Sequence, residues 1–309
     1  MKSPRASGRQ GNRVYGERPL GCQLEKRQDA ASLHSIPAKR MKPIPPGRPG
    51  APRAAKPNKG RPSRHGARED DVLRLYGVHA VEAALQNPQR KIRRLLVTEN
   101  AEKRLAPALA GRAAPERVTP RDLDRLLGPD TVHQGVLLET EPLEEPSLAD
   151  MALRADAAGP LVVLDHVTDP HNVGAILRSC AVFGAAGLLM TRRHSPPLDG
   201  TLAKSASGAL EHVPVALVQN LARALAELKE LGFVAIGLED AAGAPLEDEE
   251  LSGRLALVFG AEGKGLRELT RSSCDRLARI TTAGPISSLN VSNAAAIALH
   301  LAAWRRRAP

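Results

Sequence analysis

Aromatic side chains are scarce: Phe, Trp and Tyr make up 2% of the 309 residues. That argues against nucleic-acid recognition by rows of stacking rings, as common single-strand binders use. Cysteine is also scarce. Cys22, Cys180 and Cys274 show no Cys-x-x-Cys spacing, which removes a disulfide framework and a zinc site and fits a reducing cytosol. No apolar run of about 18 residues exists, which removes a membrane-spanning helix. The N-terminus has no apolar h-region for secretion.

Acidic residues are few in the first 70 positions, where 5 face 17 lysines and arginines, together with 10 prolines and 8 glycines. Residues 71–309 hold 27 basic and 29 acidic residues, so the chain's net charge of +10 resides in its N-terminal part. A segment so poor in apolar periodicity cannot offset its ordering entropy, so residues 1–70 are expected to form a disordered basic tail. Such an arm suits a polyanion, RNA above all, because its cations release counterions from phosphates. A solubilising arm is the plainer alternative, and the Arg-rich, acid-poor composition leaves an organelle transit peptide open. Met41 offers an alternative start.

Order is expected from about Leu75. Helices at 76–86, 101–110 and 120–128 and strands at 92–98 and 133–140 give a small α/β unit over 71–141. The acidic, Pro-flanked stretch 142–158 reads as a linker. From 159 to 309, apolar runs of strand length recur: "LVVLD", "GLLMT", "VPVALV", "FVAIGL", "LALVFG" and "LARITT". Helical stretches lie between several of them, most clearly 221–231, with Leu221, Leu225, Leu228 and Leu231 on one face and Gly232 as its stop. Continuous apolar strands separated by helices predict a mainly parallel sheet covered on both faces. Ligands of such sheets sit beyond the carboxyl ends of the strands, which directs attention to loops 165–172, 260–265 and 282–290.

Each loop has a plain reading and a residue the plain reading leaves over. In "DPHNVGAILRSC" Asn172 can cap a helix starting near Val173, and Arg178, taken alone, is a solvated helix charge. Asp165, His166, Asp169 and His171 crowd one short turn that cannot easily aim four ligands at one metal. "FGAEGKGL" fails the spacing of phosphate-binding and dinucleotide-binding loops. It remains a Gly-rich turn that lets a ligand approach the backbone. In "SLNVSNAAAIAL" Ser292 can cap the Ala-rich helix that follows, which leaves Ser288 and Asn290 needing partners.

These three segments, in this order within residues 160–305, resemble the three motifs of the SpoU-type (TrmH-like) RNA ribose 2′-O-methyltransferases of the SPOUT superfamily. "SASGALEHVPV" resembles the family's intermediate segment. Residues 75–140, with "YGVHAVEAAL" and "HQGV", resemble the small RNA substrate-binding domain of bacterial enzymes that methylate a guanosine of 23S ribosomal RNA. The resemblance implies an α/β fold with a trefoil knot, S-adenosylmethionine as cofactor, and a homodimer, while the cysteine usage and the turn geometry above lead to the expectation of a cytoplasmic protein without a metal. It implies that backbone around Gly260, Ile280 and Leu289 holds the cofactor. It also implies that Asn172, Arg178, Glu262, Ser288 and Asn290 form the active site, with Arg178 serving a site completed by the partner chain. Thr281 and Thr282 depart from the Pro-Met that many members carry. A transfer RNA enzyme, or a non-catalytic RNA-binding module on the same fold, are the alternatives.

Overall fold

The computed structural model describes residues 72–307 except 110 and 287. The expectations for 1–70, with Cys22 and Met41, lie outside the described residues, as does Ser287. The small N-terminal unit runs β1 (Leu73–Tyr76), α1 (Val78–Gln86), β2 (Ile92–Val97), α2 (Glu99–Leu109), β3 (Pro115–Arg117), α3 (Pro120–Leu127) and β4 (Val136–Thr140). Its sheet has the order β1-β4-β2-β3. β4 is antiparallel to both β1 and β2, and β3 is parallel to β2. α3 starts where the local chemistry says it should: Pro120 sits at its first position, and Thr119 and Asp122 form a reciprocal capping box.

The segment 142–158, expected as a linker, carries a helix. α4 (Leu148–Ala157) is opened by a Ser147–Asp150 capping box and buries Leu148, Met151, Ala152 and Ala155. The acidic, Pro-flanked composition concealed an amphipathic turn pattern.

The remainder alternates as β5 (Leu161–Asp165), α5 (Pro170–Phe183), β6 (Gly187–Thr191), α6 (Gly200–Ala206), β7 (Val215–Val218), α7 (Leu221–Glu230), β8 (Val234–Leu238), β9 (Ala244–Pro245), β10 (Leu255–Gly260), α8 (Glu268–Ser273), β11 (Arg276–Arg279) and α9 (Val291–Arg307). The seven strands lie in the order β7-β6-β5-β10-β8-β11-β9, and every pairing is parallel. β5, β6 and β10 are buried along nearly their whole length, as a sheet covered on both faces requires.

α5, α6 and α9 contribute to one core, and α4 and α7 to the other. α9 presents Ala295, Ala298, Leu299 and Ala302 inward, the helical spacing i, i+3, i+4, i+7. α5 and α6 touch closely because position 174 is glycine. A Cβ there would lie 2.4 Å from Ser205 Cβ and 2.9 Å from the Leu202 carbonyl oxygen.

The small unit and the large sheet share a polar seam. Arg90 makes a bidentate pair with Glu211, Nη2 to Oε1 at 2.7 Å and Nε to Oε2 at 3.1 Å, while Asn87 Nδ2 donates to Oε2 at 2.8 Å. Both charged side chains are essentially buried, 1% and 2% exposed. Tyr76 and Thr201 hydroxyls meet at 2.7 Å. Truncating one partner of a buried ion pair strands the other charge, at a cost of about 3–5 kcal/mol. Glu211→Ala is therefore expected to lower unfolding free energy by about that amount, read as a drop in the urea midpoint with the slope retained.

Candidate active site

β5 feeds α5 toward β6, whereas β10 lies on the other side of β5. The strand order thus reverses between β5 and β10, the place where open parallel α/β sheets leave a crevice beyond the strand ends. The three loops meet here.

Asn172 was expected to cap α5. Instead α5 begins at Pro170, and Asp169 caps it by accepting from the His171 amide at 2.9 Å. Proline at the first position suits the helix start, which moves the start three residues earlier. Asn172 is left within the first turn with its amide free to reach outward. Its Nδ2 donates to Glu262 Oε1 at 2.9 Å.

Similarly Asn290, not Ser292, caps α9: its Oδ1 accepts from the Ser292 amide at 2.9 Å and from Ser292 Oγ at 2.5 Å. Asn290 Nδ2 donates to Glu262 Oε1 at 2.5 Å and to Asn172 Oδ1 at 3.0 Å. The Val291 amide also points at Glu262 Oε1, 3.4 Å away. One carboxylate oxygen therefore gathers donors from the start of α5 and the start of α9, residues 90 and 28 positions distant.

Glu262 sits on the turn after β10, and that turn depends on glycine. A Cβ on Gly260 would fall 2.1 Å from Gly265 C and 2.3 Å from its oxygen, while Gly263 and Gly265 adopt φ of +73° and +64°. The returning chain is then pinned: Asp165, fully buried at the end of β5, accepts from the Arg267 amide at 2.9 Å and from Arg267 Nε at 2.7 Å. Asp165 serves this ion pair.

Beside the Asn172–Glu262–Asn290 triangle opens a cavity of about 730 Å³, lined by Gly260, Glu262, Ile280, Ser288, Leu289 and Asn290 among others. Its volume and mixed lining fit one nucleoside-sized ligand. Leu238, Phe259 and Ala294 give it apolar surface, the glycines offer bare backbone, and Glu239, Asp240 and Glu262 supply carboxylates suited to hydroxyls or a cation. Glu239 and Asp240 were absent from the sequence reading. They follow β8 directly, so the strand-end rule that picked out the other loops points to them as well.

Arg178 stands apart. It lies six residues beyond Asn172 on α5, about 240° around the helix, is exposed, and makes no ion pair among the described residues. Thr281, one of the two departures from the family pattern, donates from Oγ1 to Glu247 Oε2 at 3.1 Å.

The chain resembles known proteins over most of its length. A family model described as the SpoU rRNA methylase family matches residues 159–300, and one described as RNA 2′-O ribose methyltransferase substrate binding matches residues 74–146. The 23S rRNA (guanosine-2′-O-)-methyltransferase RlmB of Ralstonia nicotianae is 42% identical over 237 residues, 75% of this chain and 95% of that one. The Escherichia coli K12 protein of the same description is 38% identical over 239 residues, 75% and 98% of the two chains. Among solved structures, the SpoU methyltransferase AviRb from Streptomyces viridochromogenes in complex with AdoMet superposes with a TM-score of 0.66 at 26% identity, covering 77% of this chain and 91% of that one.

Because nothing but hydrogen fits at position 260, Gly260→Ala is expected to displace the 261–265 turn. Affinity for S-adenosylmethionine should fall more than about tenfold, one lost contact's worth of free energy. Titration calorimetry measures it, and wild-type affinity in the variant would show that the turn does not line the ligand.

Proposed function

The chain belongs to the SpoU rRNA methylase family, and on that premise we propose that it transfers a methyl group from S-adenosylmethionine to the ribose 2′-hydroxyl of a guanosine in 23S ribosomal RNA. The observation that carries the reading is the Glu262 oxygen shared by Asn172 and Asn290 beside a nucleoside-sized crevice. When bound, the cofactor supplies a methyl carbon on a sulfonium sulfur. That methyl would pass to the ribose oxygen, with S-adenosylhomocysteine and the hydroxyl proton as the other products.

The protein's part is alignment. Main chain around Gly260, Ile280 and Leu289 would hold the nucleoside part of the cofactor. Glu262 acts by orientation: with donors from Asn172 and Asn290 on one oxygen, it holds two loops at fixed separation. Asn172, Ser288 and Asn290 present polar groups where cofactor and ribose meet. Arg178 serves as a fixed cation that holds a phosphate or stabilises the developing oxyanion.

A homodimer brings Arg178 to a site. Val182 lies one turn beyond Arg178 on the same exposed face of α5, 68% exposed, and the adjacent α9 shows Ile297 and Trp304 to solvent. These apolar residues support a dimer face on α5 and α9. The contact of Asn290 with Glu262 on the turn after β10 supports the trefoil knot. Residues 71–141 serve as the RNA substrate-binding unit, and 159–309 as the methyltransferase. Ribosomal RNA as substrate puts the enzyme in the cytoplasm.

Mass spectrometry of 23S ribosomal RNA from a deletion strain is expected to show one 2′-O-methylguanosine replaced by guanosine; retention of every 2′-O-methyl nucleotide would remove the assignment. Arg178→Ala is expected to lower turnover by about 10²–10³-fold, the scale of losing one transition-state charge contact, with S-adenosylmethionine affinity held within about twofold. Equal losses of both, read by labelled-methyl transfer and calorimetry, would instead put Arg178 in the cofactor pocket.

A further inference from the structure

On the other side of the Asp165–Arg267 ion pair lies a second cavity, of about 410 Å³, at the carboxyl ends of β5, β6 and β7. Two histidines form part of its wall. His166 and His194 stack with ring centroids 4.7 Å apart at 32°. Both adopt left-handed backbone, φ +58° and +64°, a region that glycine enters freely and other residues rarely do. The turn that carries His194 is held by Thr191, whose Oγ1 donates to the Arg193 carbonyl at 2.6 Å.

The surrounding chemistry is that of a nucleotide site. Arg192 is occupied by Glu145, while Arg193, exposed on the rim, has no carboxylate partner among the described residues. Arg267 reaches the cavity with its side chain about half exposed despite its bond to Asp165. Leu269 adds an apolar plate, 73% exposed. The capped N-terminus of α7 at Asn220 opens onto the same space. Glu268 is the opposing charge on the wall. Burial, and then the charge of Arg267, hold the His166 imidazole below its ordinary range. The lowered pKa favours the neutral ring, which stacks without repelling its neighbour.

We propose that this cavity is a second RNA subsite, in which the base of an unpaired nucleotide flanking the methylated one lies against the His166–His194 pair and its phosphate meets Arg193. The inference rests on the RNA substrate proposed above. Imidazole and guanidinium planes serve for stacking where Phe, Tyr and Trp are few. The position suits a flanking nucleotide, because Arg267 links this cavity to the Gly260–Gly265 turn that walls the cofactor crevice.

The test is the full chain carrying Arg193→Ala and His194→Gly, with His194→Gly alone as the milder variant, since glycine keeps the left-handed backbone without strain. Fluorescence anisotropy with a labelled single-stranded RNA dodecamer of mixed sequence is expected to show about tenfold weaker binding for the double variant, the scale of one stacked base. The slope of log affinity against log salt should shrink by about 0.7 for the lost phosphate contact. His194→Gly alone should weaken binding with the slope unchanged, and S-adenosylmethionine affinity should be unaltered in both. Wild-type RNA affinity in the double variant overturns the proposal. A change in slope with His194→Gly silent also overturns it, by reducing the effect to diffuse charge. Displacement of the RNA by micromolar guanosine 5′-monophosphate would make this a free-nucleotide site and overturn the strand reading. Methyl transfer to 23S ribosomal RNA by the wild type is measured in parallel. Its failure would remove the function proposed above, while the anisotropy difference still decides the subsite.

Discussion

A single carboxylate oxygen organises the site. Glu262 Oε1 receives Asn172 from the start of α5 and Asn290 from the start of α9, with the Val291 amide close by. A charged acceptor with several donors makes stronger bonds than neutral pairs do. It also satisfies amide groups that would otherwise compete for water beside the crevice. With that oxygen in place, three loops distant in sequence define one surface. Without it, each loop start has only its own helix cap.

The turn that presents Glu262 is held by contacts that tolerate little change. Gly260 lets the backbone of Gly265 pass at a distance no side chain allows, and Asp165 draws the following residues onto the end of β5 through Arg267. An ion pair with one member fully buried is costly to desolvate. Here the cost is offset by two hydrogen bonds to one carboxylate, and the result is placement more than stability. Arg267 of the same pair also lines the histidine-walled cavity.

The small unit is bound to the large sheet by comparable chemistry. Arg90 and Glu211 are almost wholly buried yet doubly hydrogen-bonded, with Asn87 as a further donor. A directional seam of this kind specifies one orientation where an apolar contact would permit sliding. With the division of labour proposed above, the orientation of the two units matters as much as the affinity.

Much of this was legible from the amino-acid sequence by itself. Apolar runs of strand length separated by helical spacing determined a parallel sheet with helices on both faces, and the strand-end rule points to the three loops. Local patterning is enough there because burial on both faces leaves a continuous apolar signature. Very short elements escaped: β9, two residues long, has no period to read, and α4 was hidden by acidic flanks. Tertiary structure alone decided where the amides left over from the caps go. Asn172, displaced from the cap by the Asp169-Pro170 start, and Asn290 both reach Glu262, 90 residues from Asn172. It also decided that Arg178 faces away from the triangle, and that two histidines from different loops stack. Periodicity reports which face of an element is buried; it holds no information about which distant residue waits on the other side.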